Sequence, residues 1–269
     1  MKILNLLRLM TLVVFVWLIP SVGGTIPLSD TSNQHNFSNA AVNTNPTTGN
    51  PHPKADAPVN DGTTEICIFC HTPHSAAPQS SLWNRRDPAA MGSFPVYGGA
   101  LVIKGSFNVA DATLHSQYNS ALFPYPNGAS KLCLSCHDGI TAIGTVLDGT
   151  AFNMLNASNI NAMGDPRLAI NLATSHPISF VYDGQVLSDV SLAKPGQYQL
   201  PTLSDVPLDS EQRMQCTTCH DPHEDTRTAI GLPFWRHRTN VTSGAFVDVC
   251  NDCHKAGMAG KLGDMHDNL

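Results

Sequence analysis

Cys67-Ile68-Phe69-Cys70-His71 is the stretch around which this chain is organised, because its pattern returns three more times. The other copies are Cys133-Leu134-Ser135-Cys136-His137, Cys216-Thr217-Thr218-Cys219-His220 and Cys250-Asn251-Asp252-Cys253-His254. Together the four copies use all 8 cysteines of the 269-residue chain. C-x-x-C-H is the pattern of c-type haem attachment, in which two thiols bind the haem covalently and the next histidine ligates its iron. The sequence therefore predicts four covalently attached haem c groups.

Two structural zinc sites of four cysteines each are the alternative use of these thiols. Zinc places no requirement on the residue after each cysteine pair, whereas histidine follows all four pairs. The pattern therefore favours haem. The expected cofactor-binding cysteines are Cys67, Cys70, Cys133, Cys136, Cys216, Cys219, Cys250 and Cys253. The expected proximal iron ligands are His71, His137, His220 and His254.

Residues 1–24 have the pattern of a secretory signal peptide. Lys2 and Arg8 precede an apolar run from Leu9 to Ile19, which is followed by Pro20 and small residues. A retained anchor helix is the alternative, although the run is short for crossing a bilayer. Export agrees with c-type haem attachment, which takes place outside the cytoplasm. We expect a secreted protein, extracellular or at the cell surface, with the periplasm as the alternative and no membrane span after cleavage.

Composition limits both the partners and the fold. The formal net charge is -6, which disfavours nucleic acid and anionic membranes as partners. Only 13% of residues are charged and 7% aromatic, while glycine numbers 20 and proline 19. This is a poor composition for a large self-sufficient core and suits a chain wrapped on apolar cofactors. We expect mostly irregular coil, with short helices at the C-x-x-C-H motifs and a few short strands, wrapped around four haems.

The order of motifs indicates an internal duplication. Each half has a leading histidine, then C-x-x-C-H-x-P-H, then a tryptophan-arginine cluster, then a second C-x-x-C-H. The expected organisation is an extended N-terminal arm at 25–60, a first dihaem unit at 61–150, a linker at 151–175 and a second dihaem unit at 176–269. These segments form one haem-organised domain. The arm is rich in Asn, Thr, Pro and Gly, so on its own it should be extended and mobile.

The histidines outside the four motifs supply the second axial ligands. His74 and His223 lie three residues beyond a proximal ligand, on the same side of that haem, so each should ligate a neighbouring haem instead. The repeat nominates His35 and His176 as the other two distal ligands, because each precedes its own half. His115 and His237 occupy matching places between the motifs and are the reserves, with His237 expected to face propionates or solvent.

The sequence also gives predictions for two further histidines, four arginines and two tryptophans. His52 and His266 are expected at the surface. Guanidinium groups match haem propionates, and the tryptophans should pack on haem edges. The residues concerned are Arg85, Arg86, Arg236, Arg238, Trp83 and Trp235.

Saturation of every iron by two histidines favours electron transfer over bond-making chemistry, so no catalytic residue is expected. A multihaem reductase with an open haem is the enzymatic alternative. Such reductases often replace the histidine of one motif, and none of the four motifs here shows that change.

The motifs together resemble exported multihaem c-type cytochromes of metal-respiring bacteria, in particular tetrahaem extracellular filament (nanowire) cytochromes. The resemblance spans roughly residues 33–256 and is carried by the following stretches. They are Cys67 to His74, Leu82 to Arg85, Cys133 to Gly139, Ser175 to Phe180 and Cys216 to His223. The resemblance implies bis-histidine haems in a continuous chain of alternating parallel and T-shaped pairs. It also implies head-to-tail polymerisation, with one haem taking its distal histidine from the next subunit.

In this sequence the arm carrying His35 is the natural candidate for that ligand in trans, and a repeated contact that never closes makes a filament. We therefore expect electron transfer by a polymerising extracellular conduit that meets redox partner proteins and external electron acceptors. A monomeric periplasmic or surface electron carrier is the alternative.

Overall fold

The structure is a computed structural model. It describes residues 25–46, 49–56, 66–73, 82–88, 126–148, 151–159, 176–193, 195–204, 206–227, 234–236 and 245–255. The expected signal peptide and several predicted residues lie outside these ranges, namely His74, His115, His237, Arg238 and His266.

The helices are short, and each C-x-x-C-H motif coincides with one. A 3-10 helix spans Cys67–Phe69, and α1 to α4 span Gly128–His137, Gly184–Ala193, Cys216–Cys219 and Ala245–Cys253. Within the motifs, the histidine backbone N–H donates to the carbonyl of the first cysteine, at 2.7 Å for His71, 3.0 Å for His220 and 2.7 Å for His254. One helical turn thus brings two cysteines and a histidine to the same side of the backbone.

In the described part of the chain, six two-residue strands form three antiparallel pairs. They are β1 (Ile26–Pro27), β2 (Lys54–Ala55), β3 (Met154–Leu155), β4 (Phe180–Val181), β5 (Arg213–Met214) and β6 (Glu224–Asp225). β1 pairs with β6, β2 with β3 and β4 with β5. In the first pair Ile26 lies opposite Asp225, so the start of the described chain is attached to the segment that follows motif three.

The two halves share a local geometry after their first motifs. His71 forms a β-bridge with Trp83, and His220 forms the same bridge with Trp235. Beside the first bridge, the Asn84 N–H donates to the Cys70 carbonyl at 2.8 Å. Beside the second, the Arg236 N–H donates to the Cys219 carbonyl at 2.9 Å.

The residue before each tryptophan, Leu82 or Phe234, has a positive φ of 51° or 58°. Left-handed backbone is uncommon for residues other than glycine, so its presence at matching places in both halves is specific to this motif.

The N-terminal arm differs from the extended segment that its composition suggested. Its Asp and Asn side chains accept hydrogen bonds from the backbone two residues further on: Asp30 from Ser32 at 2.8 Å, and Asn33 from His35 at 2.8 Å. Asn36 accepts in the same way from Ser38, at 3.1 Å. These Asx turns reverse the chain without any hydrophobic period. Residues 25–46 are therefore a succession of turns that pack on the second half.

The apolar core is divided into small clusters beside the motifs. The first contains Phe37, Ala55, Phe69, Ile143 and Ala157. The second contains Phe180, Tyr182, Val186, Tyr198, Met214 and Cys253, and the third contains Val206, Trp235 and Val249. Each cluster includes or adjoins a haem-motif segment, so local packing fixes the motifs in place. No helix in the described part of the chain has the length and apolar character needed to cross a membrane.

A buried glutamine joins motif two to motif three. Gln215, just before α3, accepts a hydrogen bond from the Ser130 hydroxyl in α1 at 2.6 Å and donates to Asn127 at 3.0 Å. The Cys216 N–H donates to the same Ser130 hydroxyl at 3.0 Å. Since unpaired buried polar groups are costly, this fully paired network holds the two motif helices at a fixed separation.

Gly144 is a position where the fold has no room for a side chain. Its carbonyl accepts from the Phe152 N–H at 2.9 Å, and an added Cβ would overlap the Phe152 carbonyl oxygen. We expect Gly144→Ala to lower the free energy of unfolding by about 2–3 kcal/mol, measured by guanidinium unfolding. Gly184→Ala is the matched control, because nothing lies within 4 Å of its added Cβ. Equal stability of the two variants would contradict the tight packing at Gly144.

Candidate haem sites

Three pairs of histidines face each other across nearly the same gap. The ring centroids of His71 and His223 are 6.3 Å apart, and those of His35 and His137 are 6.2 Å apart. The third pair joins His176 to His254 at 6.3 Å. Each pair joins one C-x-x-C-H histidine to one histidine that the sequence nominated as a distal ligand.

The gap is the one that a shared metal ion requires. A metal–imidazole bond is about 2 Å long and the ligating nitrogen is about 1.1 Å from the ring centroid, so two imidazoles on opposite sides of one metal have centroids roughly 6.3 Å apart. A direct stacking contact is far shorter, as the 4.1 Å between the rings of His35 and Phe234 illustrates. The donor set and its spacing therefore fit a haem iron with one histidine on each face.

The pairing follows the internal repeat. His35 and His176 each lie opposite the second motif histidine of their own half, whereas His223, which follows motif three, lies opposite the first motif histidine of the other half. By the same rule His74, which follows motif one, should lie opposite His220. His74 is outside the described residues, so this fourth pair stays a prediction.

Hydrogen bonds orient the three described distal histidines. The Nδ1 atom lies 2.9 Å from the Pro222 carbonyl oxygen in His35 and 2.8 Å from the Pro177 carbonyl oxygen in His176. In His223 it lies 3.3 Å from a carboxylate oxygen of Asp221. An Nδ1–H that donates to oxygen leaves Nε2 with the lone pair that binds a metal. The three rings therefore present the same ligating nitrogen.

The neutral form of two of the histidines is favoured by their surroundings. Desolvation, with a contribution from His137, lowers the pKa of His35 to about 4. Desolvation, with a contribution from His176, lowers the pKa of His254 to about 4. Only neutral imidazole ligates a metal, so these sites hold the ligating form at neutral pH.

His35 is held within its own chain. β1 pairs with β6 and the Asx turns fold the arm back, so the ring stacks on Phe234 and faces His137. The expectation that the arm carries His35 to the next subunit stays a prediction, and within one chain the arm is compact. The physical reason is the turn chemistry of Asn33 and Asn36, whose side chains satisfy the backbone of a compact arm.

Cys253 is buried and Cys67 is exposed, while the other six cysteines are partly buried. Burial raises the pKa of Cys70, Cys219 and Cys253 to about 12 and that of Cys250 to about 11. The Cys133 and Cys216 side chains are hydrogen-bonded to each other, which brings the attachment points of motifs two and three together. Among the residues that the structure describes, no group of three or more His, Cys, Asp or Glu converges as a metal site. The recurring unit there is the histidine pair, and a bound porphyrin would supply the remaining four nitrogen ligands of an iron.

Both tryptophans contact a proximal histidine. Trp83 meets His71 edge-on at 5.5 Å, and Trp235 meets His220 edge-on at 5.2 Å. The Trp83 indole N–H also donates to the Ser135 hydroxyl at 3.2 Å, which joins motif one to motif two. The expectation from sequence was packing on haem edges, and the structure adds that each tryptophan sets the orientation of its own proximal histidine.

The arginines predicted to meet propionates differ in their exposure to solvent and in their hydrogen-bond partners. Arg85 is 1% exposed and donates to backbone carbonyls, whereas its neighbour Arg86 is exposed. Arg236 lies 3.8 Å from the Asp221 carboxylate and donates to the His220 carbonyl at 3.2 Å. Of the described arginines predicted to meet propionates, Arg86 is exposed and Arg236 is partly exposed, while Arg238 lies outside the described residues.

Some residues near the pairs were missed or misplaced by sequence reasoning. Asp221, Pro222 and Phe234 contact distal histidines, and the only sequence signal was their position beside a motif or a tryptophan. The surface position expected for His52 is wrong, because its side chain is fully buried with its ring 6.2 Å from that of Phe37. The folded arm covers it, and desolvation lowers its pKa.

Comparison with known proteins does not attach a family to this geometry. No protein-family model matches the chain, and no curated protein matches it significantly.

Proposed function

We propose that this chain is an electron-transfer protein, an exported tetrahaem c-type cytochrome whose haems are each held by two cysteines and two histidines. The observation that carries the proposal is the set of three histidine pairs at 6.2 to 6.3 Å, each made of one C-x-x-C-H histidine and one histidine distant in sequence. The gap alone is not distinctive, since the rings of Phe37 and His52 are also 6.2 Å apart, so the proposal depends on each pair combining a motif histidine with a nominated distal histidine.

The roles of the chain's own residues follow from this arrangement. Bound haem would supply a one-electron iron couple. The cysteines of each motif tether the group, and the paired histidines occupy both axial positions, which leaves no coordination site for a substrate. Hydrogen bonds to Pro222, Pro177 and Asp221 hold the distal rings in place, so little rearrangement is needed when the charge of the iron changes.

Contacts between motifs support transfer from one haem to the next. The tail of motif three provides His223 to motif one, so these two motifs lie side by side. The Ser130 hydroxyl, which donates to Gln215 and accepts from the Cys216 N–H, brings motifs two and three together in the same way. Attachment sites this close keep the distance for electron transfer short.

The place of His35 favours one assembly over another. It faces His137 of its own chain, which supports a monomeric periplasmic or surface carrier over a filament linked by His35. Polymerisation through another surface would keep the extracellular conduit suggested by the resemblance to filament cytochromes.

Haem loading is the direct test of the proposal. The protein made in a host competent in c-type maturation should carry four covalent haems by intact mass, with a low-spin spectrum in both oxidation states and no binding of carbon monoxide. A protein that folds with zinc and without haem would overturn the proposal. Light scattering and electron microscopy of the same sample would separate discrete particles from filaments.

A further inference from the structure

We propose that Arg85 is a fixed positive charge that raises the reduction potential of the haems attached in the first half, at motifs one and two. This inference rests on the proposed function and adds a residue that tunes it.

Arg85 lies between the two motifs of the first half. Its Nη1 donates to the Ile143 carbonyl at 2.7 Å and contacts the Phe69 carbonyl at 3.4 Å, and its Nη2 donates to the Ala142 carbonyl at 2.8 Å. Phe69 is inside motif one, between its two cysteines, whereas Ala142 and Ile143 follow motif two. The guanidinium group is therefore clamped between the segments that carry two of the haems.

The charge of Arg85 is buried, and no carboxylate of the described residues forms an ion pair with it. The side chain is 1% exposed, and its Nε has no hydrogen-bond acceptor within the described ranges. Among the residues placed by the structure, none of the ion pairs includes Arg85, and its acceptors are neutral carbonyls. Arginine is almost never fully buried unless it is paired, because removing its charge from water is costly. Because burying this charge is costly, we infer that Arg85 has a function in the protein.

The effect on an adjacent iron has a definite sign. Reduction of iron(III) to iron(II) by one electron from an external reductant lowers the positive charge of the haem by one unit. A nearby cation repels the oxidised form more strongly than the reduced form, and the repulsion is large where water is absent. The guanidinium contacts the carbonyl of Phe69, the residue before Cys70, so the charge lies beside an attachment point of motif one.

The second half has a different residue at the matching place. Asn84 and Arg236 make equivalent backbone hydrogen bonds, to Cys70 and Cys219, so the register assigns His237 to the position of Arg85. His237 lies outside the described residues, and histidine is largely neutral near pH 7. The second half has Arg236 beside motif three, but that guanidinium is partly exposed and lies 3.8 Å from the Asp221 carboxylate. Among the described arginines beside the motifs, Arg85 is therefore the one whose charge is buried without an ion pair.

A redox titration of the haem-loaded full chain tests the role of Arg85. In Arg85→Met, one or two of the four haems should show a reduction equilibrium constant lowered at least tenfold, which is 59 mV for a one-electron couple. Arg85→Gln should give the same shift while keeping an amide donor for the Ile143 carbonyl, so it serves if the methionine variant folds poorly. Arg85→Lys keeps the charge and should shift the constant less than threefold. Lys54→Gln is the control, because the Lys54 ammonium donates to the Ala41 carbonyl and, among the described residues, to no C-x-x-C-H motif, and it should shift the constant less than threefold.

Either of two results would overturn the inference: unshifted titrations in both neutral variants, or an equal shift of all four haems. Intact mass and the low-spin spectrum of each variant separate this result from failure of the proposed function. Four covalent haems with unshifted potentials would count against Arg85 alone, whereas an absence of covalent haem in the parent would count against the cytochrome itself.

Discussion

His223→Ala is expected to convert about one quarter of the haem from low-spin to high-spin and to create a single binding site for carbon monoxide in the reduced protein. The reason is the 6.3 Å separation between the rings of His223 and His71, which makes His223 the distal ligand of the haem at motif one. Alanine has no group that could replace the imidazole. The side chain is largely exposed, so we expect the variant to fold and retain four haems.

The experiment can also identify which haem loses its ligand. A variant that combines His223→Ala with Cys67→Ala and Cys70→Ala lacks the haem at motif one and should no longer bind carbon monoxide. Combining His223→Ala with Cys216→Ala and Cys219→Ala should keep the carbon monoxide site. His115→Ala is the control, because that histidine is a reserve and should leave all haems low-spin. A fully low-spin His223→Ala protein would contradict the assignment.

The proximal iron ligands could be predicted from the sequence, because the spacing within each motif fixes them. A C-x-x-C-H histidine is one residue from its cysteines, so His71 and its three counterparts follow directly from the motif. The exclusion of His223 from the haem of motif three also follows, since three residues cannot reach around a porphyrin. The partner of His223 could not be predicted in the same way. It depends on which motif the tertiary structure brings alongside, and no spacing encodes that.

The arm and Arg85 show a second limit of prediction from the sequence. Asn33 and Asn36 belong to a composition typical of mobile segments, yet their side chains form turns that fold the arm. Sequence periodicity detects apolar faces that become buried. It does not detect segments whose backbone N–H groups are hydrogen-bonded by short polar side chains. Arg85 was expected at a propionate because arginine is seldom buried, and its actual acceptors are carbonyls up to 58 positions away in the chain. Such acceptors are created by the fold.

Whether His35 ligates within its own chain is expected to show in a dilution experiment. The parent should stay fully low-spin over a hundredfold dilution to nanomolar protein, because a ligand held in the same chain has an effective concentration that dilution does not change. His35→Ala should be about one quarter high-spin at every concentration, since His35 is 6.2 Å from His137 and hydrogen-bonded to Pro222. A ligand supplied by the next subunit would instead be lost progressively on dilution.

Mixing two defective chains gives the sharper form of this test. One chain carries His35→Ala, and the other keeps His35 but carries Cys133→Ala and Cys136→Ala, so it lacks the haem that His35 should ligate. If the arm acts in trans, the second chain can donate its free His35 to the first, and the mixture should recover a low-spin spectrum. If the arm acts in cis, His35 of the second chain stays packed on Phe234 within its own fold, and the high-spin fraction should persist. We expect persistence, because β1 is paired with β6 of the same chain and would have to separate from it before His35 could reach another.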